Sequence, residues 1–345
     1  MSELEYKKEI PAKIISIVEN EYGIKIHSAE QLFLGADKDT FAYKINTKKN
    51  SEYFLKIRTG EFSEAAIVIP YLLSGEIGRH IIAPVKTADN KLFLKTPDYT
   101  VILYPFINGK SGRETDLSEA QWIEFGKTMR KIHDFKLPKK DKDYFHNKLN
   151  IPREKFDSSW IEELKTIMNG LRRIHTEDQY VKQFIDMLEN RRTVINELML
   201  RAEELLHKTD KTKIRYRLRH AEIHAANLLV TEDDFYIVDW DTVIMAPKER
   251  DLMFIGGGVA GKWNTAKESD LFYKGYFVFY GNGKRGEINR TILDYYRYIR
   301  IIEDMVVYYG QFFAENVSEK NRASITERVD SSFWPGGVVE MAIAE

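Results

Sequence analysis

Residues 220–241, HAEIHAANLLVTEDDFYIVDWD, decide how the rest of the sequence is interpreted. Two apolar runs, at 228–230 and 235–238, flank a polar turn at 232–234. This pattern predicts a short β-hairpin. Because a hairpin brings its two ends together, the side chains just before its first strand and just after its second are expected to meet.

Three polar side chains are expected at that meeting point. Glu222 and Asn227 precede the first strand, and Asp239 follows the second. Carboxylate and amide oxygens suit a hard divalent cation beside a hydroxyl-bearing substrate. Phosphoryl transfer uses such a set, with an acidic residue for the acceptor hydroxyl and with Asn and Asp for Mg²⁺ on the nucleotide phosphates. An acidic surface turn would explain each residue singly, but not their joint spacing around the two apolar runs.

The motif H-x-E-x-x-x-x-N followed by I-V-D-W-D resembles the signature of aminoglycoside phosphotransferases, small-molecule kinases that are similar to protein kinases in fold. The segments APKERDLMFIGGG at 246–258 and RIIED at 300–304 resemble the spectinomycin phosphotransferases most closely. Glu222 departs from the pattern, since the family has Asp there. Glu is one methylene longer, about 1.5 Å, so slow turnover is expected.

The resemblance implies an α+β, two-lobed protein-kinase-like fold. It implies a β-rich nucleotide-binding lobe at 1–104, a hinge at 105–109, and a mainly helical lobe at 110–345 with the catalytic loop, metal site and substrate pocket. ATP and Mg²⁺ are the implied cofactors, and the acceptor is a hydroxyl of a small cationic aminocyclitol antibiotic, most closely spectinomycin. Two alternatives stay open: a kinase for another small hydroxyl compound such as choline or a sugar, and a nucleotide-binding pseudokinase with a regulatory role.

The resemblance also implies a role for each site residue. The catalytic position is Glu222, and the metal ligands are Asn227 and Asp239. Lys56 holds the nucleotide phosphates and pairs with Glu64, or with Glu61 as the alternative. The other expected residues are Gly35, Thr40, Tyr104, Phe106 and Ile107 for the nucleotide, Asp241 for the substrate, and His220 and Asp251 as structural residues.

Periodicity and capping signals give the expected elements. An amphipathic helix is predicted at 5–22 and another helix at 62–73. Capping boxes at Ser118/Gln121 and Thr176/Gln179 predict helices that reach about 134 and 207. Two further helices are predicted at 269–277 and 287–314. Strands are predicted at 31–34, 41–45, 53–57, 81–85, 91–94 and 99–104.

Composition limits the classes of partner. The 345 residues carry a net charge of −1, so no bulk positive field favours nucleic acid. The sequence has no cysteine, which excludes disulfides and thiolate metal sites. It has no apolar run of membrane-spanning length and no apolar leader, so a cytoplasmic protein without a membrane partner is expected.

Two other motifs were weighed as sites. The segment GGGVAGKW at 256–263 fits a P-loop up to its last position, but Trp263 replaces the required Ser or Thr. The glycines are therefore expected to allow a tight turn or close packing. His220, Glu222 and His224 alternate, which could suggest zinc, but no further ligand accompanies them.

Overall fold

The computed structural model describes residues 10–33, 39–138, 149–209, 211–278 and 287–344. In chain order, its helices and strands are α1 (Ala12–Tyr22), β1 (Ile26–Leu32), β2 (Thr40–Thr47), β3 (Glu52–Arg58), α2 (Ala65–Ile77), β4 (Leu94–Lys95), β5 (Thr100–Pro105), β6 (Lys110–Ser111), α3 (Glu119–Asp134), α4 (Ser159–Leu171), α5 (Gln179–Asn190), α6 (Arg192–Lys208), β7 (Arg217–Arg219), β8 (Leu228–Val230), β9 (Phe235–Ile237), β10 (Ile244–Ala246), α7 (Glu249–Leu252), α8 (Ala266–Tyr276), α9 (Arg290–Phe312), α10 (Glu319–Ser331) and α11 (Val338–Ala344). None of the helices in these ranges is long and apolar enough to span a bilayer.

The chain divides into two compact units, and each is described by itself. The first unit comprises Met1–Gln121, Asp134–Pro152 and Ala226–Ile244. The second comprises Trp122–His133, Arg153–Ala225 and Met245–Glu345. The first contains the main sheet and the second most of the helices, so the predicted α+β class is confirmed.

The first unit is built on an antiparallel sheet with the strand order β1-β2-β3-β5-β4. Side chains alternate along β3, where Leu55 and Ile57 are buried in the core. The same core contains Ile14 and Val18 of α1. Because successive side chains point to opposite faces of a strand, Lys56 and Arg58 project from the other face.

The predicted hairpin is present and belongs to the first unit. β8 pairs with β9 in antiparallel register, and β6 pairs with the outer edge of β8. The His80 ring stacks on the Phe235 ring with 4.2 Å between centroids, and the Ile237 amide donates to the His80 carbonyl at 2.8 Å. At the turn, the Gln121 side-chain amide donates to two hairpin carbonyls, each at 3.1 Å. The hairpin is therefore fixed at several points along its length.

The second unit is organised around α9, whose buried residues include Tyr296, Arg297 and Ile302. α3 and α8 cross very closely, because each has a glycine at the crossing. A Cβ on Gly275 would lie 1.8 Å from the Ile123 carbonyl oxygen, and one on Gly126 would lie 2.0 Å from the Phe272 carbonyl oxygen. Neither position has space for a side chain.

Several predicted elements differ from the structure. No strand forms at 81–85, where only Ile81 makes an isolated bridge; Pro84 within this run has no amide hydrogen to donate. The strand at 91–94 is reduced to β4, and the helix predicted at 62–73 is α2, which begins later. Leu34 and residues 5–9 lie outside the described residues. α4, α10 and α11 were not predicted individually.

The two capping boxes had different outcomes. Ser118 and Gln121 form the predicted reciprocal bonds, at 2.8 and 3.3 Å, and α3 starts there. Thr176 does not cap α5. Asp178 does so by accepting from the Tyr180 and Val181 amides at 2.9 and 3.2 Å, and aspartate is the stronger N-cap. The predicted helix to 207 is also interrupted at Arg191, which separates α5 from α6.

Each of the two units is made of several chain segments, and the lobes at 1–104 and 110–345 with a hinge at 105–109 stay a prediction. The hairpin falls within the predicted C-terminal lobe. In the structure, β6 and His80 attach the hairpin to the first unit, which therefore extends beyond the predicted hinge and includes Ala226–Ile244.

Gly275→Ala is expected to destabilise the protein by about 1–3 kcal/mol, since overpacking at a backbone contact forces a shift of α3 or α8. Gly310→Ala in α9 is the matched control, because nothing lies within 4 Å of a Cβ at that position. The control should gain about 0.5–1 kcal/mol from replacing a helical glycine. Urea unfolding measures both, and a neutral Gly275→Ala would contradict the close crossing.

Candidate active site

The hairpin joins Asn227 to the segment that contains Asp239. Asn227 ends a short 3-10 turn directly before β8 and is buried, whereas Asp239 lies two residues after β9 and is exposed. The Val238 amide donates to the Asn227 carbonyl at 3.0 Å and closes the open end of the hairpin. The two hairpin ends therefore meet at the backbone, and the approach of the Asn227 and Asp239 side chains stays a prediction.

Asp239 has a left-handed backbone, with φ of 61°. Aspartate tolerates this region better than most residues. The chain thus turns sharply as it leaves β9, and the turn sets the direction of the carboxylate.

The residues at this turn fit a magnesium ion that also binds a nucleotide. Mg²⁺ is commonly held by one or two carboxylates together with substrate phosphates and water. Asn227 and Asp239 supply an amide oxygen and a carboxylate. Throughout the described ranges, no group of three or more His, Asp or Glu side chains is arranged to hold a metal ion by itself.

Lys56 has a different partner from the one expected. Its Nζ lies 3.1 Å from Asp241 Oδ2, and Arg58 Nη1 lies 2.8 Å from Asp241 Oδ1. No ion pair joins Lys56 to the predicted partner Glu64, which sits one residue before α2. Glu61 is exposed and takes no part in an ion pair of Lys56 either.

Asp241 therefore bridges two cations on β3. Asp241 is the residue that the sequence predicts to contact substrate, and in the structure it lies beside the predicted phosphate-binding lysine. Burial raises the pKa of the Asp241 carboxyl, but Lys56 and Arg58 outweigh burial and hold the pKa below its usual value. Sequence reasoning missed Arg58. The signal was its spacing of two residues from Lys56, which puts both side chains on one face of the strand.

The other predicted nucleotide residues lie around the same sheet, except Gly35, which is outside the described residues. Thr40 begins β2 directly opposite Arg58. Tyr104 lies in β5, and burial raises the pKa of its hydroxyl, with Asp241 adding to the effect. The Phe106 amide donates to the Glu52 carbonyl at 3.3 Å, and the Ile107 carbonyl accepts from the Gly109 amide at 3.0 Å.

In the second unit, Glu222 is surrounded by positive charge. Its Oε1 directly contacts Arg300 Nη1 and lies 3.9 Å from Arg250 Nη2, while its Oε2 lies 3.4 Å from His224 Nε2. Burial would raise the pKa of Glu222. The His224 contact and the two arginines outweigh burial and lower the pKa to about 2. The carboxylate is thus ionised at neutral pH.

The two arginines at Glu222 were not identified from the sequence. Arg250 and Arg300 lie in the segments at 246–258 and 300–304, whose resemblance to the spectinomycin phosphotransferases was the available signal. Arg300 Nε donates to Asp304 Oδ1 at 2.8 Å on the same helix face. Burial raises the pKa values of Glu303 and Asp304.

The backbone that leads to Glu222 is held by a buried aspartate. Asp251 Oδ1 accepts from the Ala221 amide at 2.7 Å, and its Oδ2 accepts from the His220 amide at 3.2 Å. Ala221 has φ of 72°, a left-handed conformation that costs an alanine about 1–2 kcal/mol. The two bonds to one carboxylate hold this strained residue in place. Both predicted structural residues, His220 and Asp251, are fully buried here.

His133 completes the support of Asp251. Its Nε2 lies 3.0 Å from Asp251 Oδ2, and its Nδ1 lies 2.6 Å from the Tyr276 hydroxyl. Burial lowers the pKa of His133 to about 4, so the ring is neutral at neutral pH. Because an ionised carboxylate can only accept, Nε2 donates to Asp251 and Nδ1 accepts from Tyr276.

The glycine-rich segment at 256–263 is a packing feature. Trp263 is buried against Trp122 and Phe125, with ring centroids 5.4 and 5.5 Å apart. A Cβ on Gly257 would lie 2.6 Å from Arg297 Nε, and the Arg297 guanidinium donates to the Ile255 carbonyl at 3.0 Å. The glycines therefore allow close packing, as the sequence analysis expected.

A model of the phosphotransferase enzyme family matches residues 33–289, well over half of the chain. The chain belongs to this family. A comparison with curated proteins finds no match. The family assignment agrees with the motif that runs from His220 to Asp241, which lies inside the matched range.

Solved structures of phosphotransferases have the same fold. Spectinomycin phosphotransferase APH(9)-Ia, solved with ADP and spectinomycin, is 33% identical, with a TM-score of 0.84 over 98% of this chain and 99% of its own. Amicoumacin kinase hAmiN is 15% identical, with a TM-score of 0.63 over 98% of each chain. Choline kinase LicA from Streptococcus pneumoniae is 13% identical, with a TM-score of 0.54 over 96% of this chain and 98% of its own. The predicted kinase-like fold is confirmed.

Asp251→Asn is expected to lower the free energy of unfolding of this phosphotransferase by about 3 kcal/mol, the usual cost of breaking a buried charged network. Asp186 in α5 is exposed, so Asp186→Asn is the control and should change the free energy of unfolding little. Thermal unfolding measured against pH gives a second check. The pKa of Asp251 is depressed below 3.8, so the stabilisation is full above that pH and is lost as the pH falls below it. Equal stability of both variants at pH 7 would contradict the anchoring role.

Proposed function

We propose that the protein transfers the γ-phosphoryl group of ATP, with Mg²⁺, to a hydroxyl of an aminocyclitol antibiotic of the spectinomycin type, an activity that confers resistance. The observation that carries this proposal is the similarity, at 33% identity over nearly the full length, to a phosphotransferase solved with ADP and spectinomycin. The match covers 98% of this chain, so it spans both units.

Nucleotide phosphates bind to Lys56 and Arg58. In the structure both cations are held by Asp241, so phosphate oxygens replace one or both of its carboxylate contacts when ATP binds. A planar guanidinium beside an ammonium gives this face of β3 two kinds of phosphate donor. Asp241 therefore serves nucleotide binding, because it keeps Lys56 and Arg58 in place before ATP binds.

Asn227 and Asp239 hold the Mg²⁺ ion in this proposal. The ion neutralises charge on the transferred phosphates when it is bound. The closed hairpin end keeps the two ligands in register, since the Val238 amide is bonded to the Asn227 carbonyl.

Glu222 orients the acceptor hydroxyl and accepts its hydrogen bond. With a pKa of about 2, its carboxylate is a weak general base, because a base works best with a pKa near the operating pH. Phosphoryl transfer through a loose transition state depends mostly on positioning and on electrostatic stabilisation. A weakly basic, firmly held carboxylate is sufficient for such a step.

Beside the arginines that surround Glu222, the second unit has two acidic side chains that would attract a cationic acceptor. Glu303 and Asp304 are acidic groups within electrostatic reach of Glu222, and burial disfavours their ionised forms. A bound ammonium group would favour ionisation of nearby carboxyls and be attracted in return.

Asp239→Ala is expected to abolish phosphorylation of spectinomycin, with at least a thousandfold loss of kcat at unchanged stability, by removing several kcal/mol of charge stabilisation. Asp233→Ala, an exposed change in the turn of the same hairpin, should leave kcat within about twofold, as surface changes have small effects. Coupled detection of ADP together with thermal unfolding measures both. Near-native turnover by Asp239→Ala would exclude the proposed metal site.

Lys56→Ala is expected to raise KM for ATP and to lower kcat, together reducing kcat/KM by about a hundredfold, since a charge-assisted phosphate contact contributes roughly 3 kcal/mol. Lys262→Ala, in the glycine-rich segment, should change kcat/KM by less than about twofold. Steady-state kinetics at varied ATP distinguishes them. The reverse ranking of the two variants would restore the P-loop interpretation.

A further inference from the structure

A glutamate side chain at position 222 has to be fixed more firmly than an aspartate would be. It has one more rotatable bond, and its carboxylate reaches about 1.5 Å farther from the backbone. We propose that Arg300, braced by Asp304, is the positioning residue that fixes the Glu222 carboxylate toward the acceptor hydroxyl, and that this site is built for glutamate. The proposal rests on the proposed function, and it replaces the expectation that Glu222 makes the enzyme slow.

The two oxygens of Glu222 are held from different sides. Oε1 is in direct contact with Arg300 Nη1, and Oε2 lies 3.4 Å from His224 Nε2. The terminal torsion of a glutamate is broad when nothing holds it. Separate partners on the two oxygens restrict that torsion, and the side chain is 17% exposed, so water competes little with them.

Arg300 is itself immobilised. Its Nε donates to Asp304 Oδ1 at 2.8 Å, one helical turn away on α9, which leaves Nη1 to face Glu222. Its guanidinium carbon lies 5.6 Å from the centroid of the Phe254 ring. A planar guanidinium held through a second edge directs its hydrogen bonds in a fixed direction.

Arg250 is held in a similar way on the same side. Its Nε lies 3.6 Å from Glu154 Oε2, and that oxygen also accepts from the Tyr296 hydroxyl at 3.1 Å. Arg250 Nη2 then approaches Glu222 Oε1 at 3.9 Å, farther than Arg300 does. Arg250 therefore supplies charge, while Arg300 supplies the direct contact.

The charged groups that face Glu222 are arginines, a histidine and carboxyls of largely buried side chains. They are Arg250, Arg300, His224, Glu303 and Asp304. The His224 contact and the two arginines outweigh burial and lower the pKa of Glu222 to about 2, so the carboxylate is ionised at neutral pH. Glu222 therefore contributes to the reaction mainly by where its carboxylate is held. Arg300 variants should show what is lost when the carboxylate is no longer held there.

The decisive experiment is a double-mutant cycle on kcat. Arg300→Met should lower kcat by at least tenfold with the KM for ATP unchanged, because misplacement by about 1 Å can cost 10²-fold. Glu222→Asp withdraws the carboxylate from Arg300 and should also lower kcat. In the Glu222→Asp background, Arg300→Met should then cost less than threefold, since the contact is already lost. Arg300→Lys, which keeps the charge, should recover part of the loss.

Loss of folding is measured separately from loss of activity. Arg300 is largely buried, so thermal unfolding of each variant accompanies the kinetics. Arg192→Met is the matched control, since Arg192 is also partly buried and its Nε bonds Glu189 Oε2 at 2.7 Å, without contact to Glu222. It should lose stability and keep its kcat.

A second measurement does not need activity. With ¹³C-labelled glutamate and Glu222→Gln to assign the resonance, the Glu222 carboxyl should stay ionised at pH 4 in the native protein. In Arg300→Met, its pKa should rise toward the ordinary 4.5. If no variant phosphorylates spectinomycin, the proposed function fails, and this pKa decides the role of Arg300 by itself.

The proposal is overturned by any of three results. The first is an equal loss of kcat on Arg300→Met in both backgrounds, which would mean that Arg300 acts independently of Glu222. The second is a higher kcat in Arg300→Met, which would mean that Arg300 restrains the carboxylate in an unproductive position. The third is a Glu222 pKa that does not respond to Arg300→Met.

Discussion

The hydrogen bond from the Val238 amide to the Asn227 carbonyl closes the hairpin on which the candidate nucleotide site depends. It ties together two residues separated by the whole hairpin, and the left-handed turn at Asp239 follows immediately. His80 and Gln121 fix the rest of the hairpin to the first unit. Since Asp241 comes two residues after Asp239, the same closure also positions the carboxylate that holds Lys56 and Arg58.

In the second unit, the comparable constraint is the set of hydrogen bonds that the buried Asp251 accepts. Asp251 accepts two consecutive backbone amides, and a neutral His133 donates to it from the other side. This arrangement stabilises an alanine in a left-handed conformation directly before Glu222. Glu222 is then fixed by side chains from α7 and α9, because Arg250 and Arg300 approach the same carboxylate oxygen. The strained backbone and the paired cations together leave this carboxylate little freedom.

Local patterns predicted local structure well. The apolar runs around residues 232–234 predicted the hairpin, and the Ser118/Gln121 box predicted the start of α3. Competition between neighbouring signals explains two failures. Asp178 displaced Thr176 as the cap of α5, and Pro84 prevented a strand at 81–85 despite its apolar residues.

Long-range side-chain partners could not be predicted in the same way. Lys56 pairs with Asp241 across 185 positions of the sequence, and Glu222 pairs with Arg300 across 78. Nothing in the composition of a strand or helix specifies such a partner. The sequence nevertheless limited the candidates, because Lys56, Glu222 and Asp241 had all been selected by motif, and Arg300 lay in a segment chosen for its resemblance. The residues were thus largely predictable, and their pairing was not.

The proposed function is phosphorylation of a spectinomycin-type aminocyclitol. It is tested most directly by offering the purified protein Mg-ATP and an equimolar mixture of spectinomycin, an aminoglycoside, choline and a neutral sugar. Mass spectrometry then shows which compound gains one phosphate. We expect spectinomycin to gain a single phosphate well before the others. Preferred phosphorylation of choline or the sugar, or ATP binding without any phosphorylated product, would contradict the account.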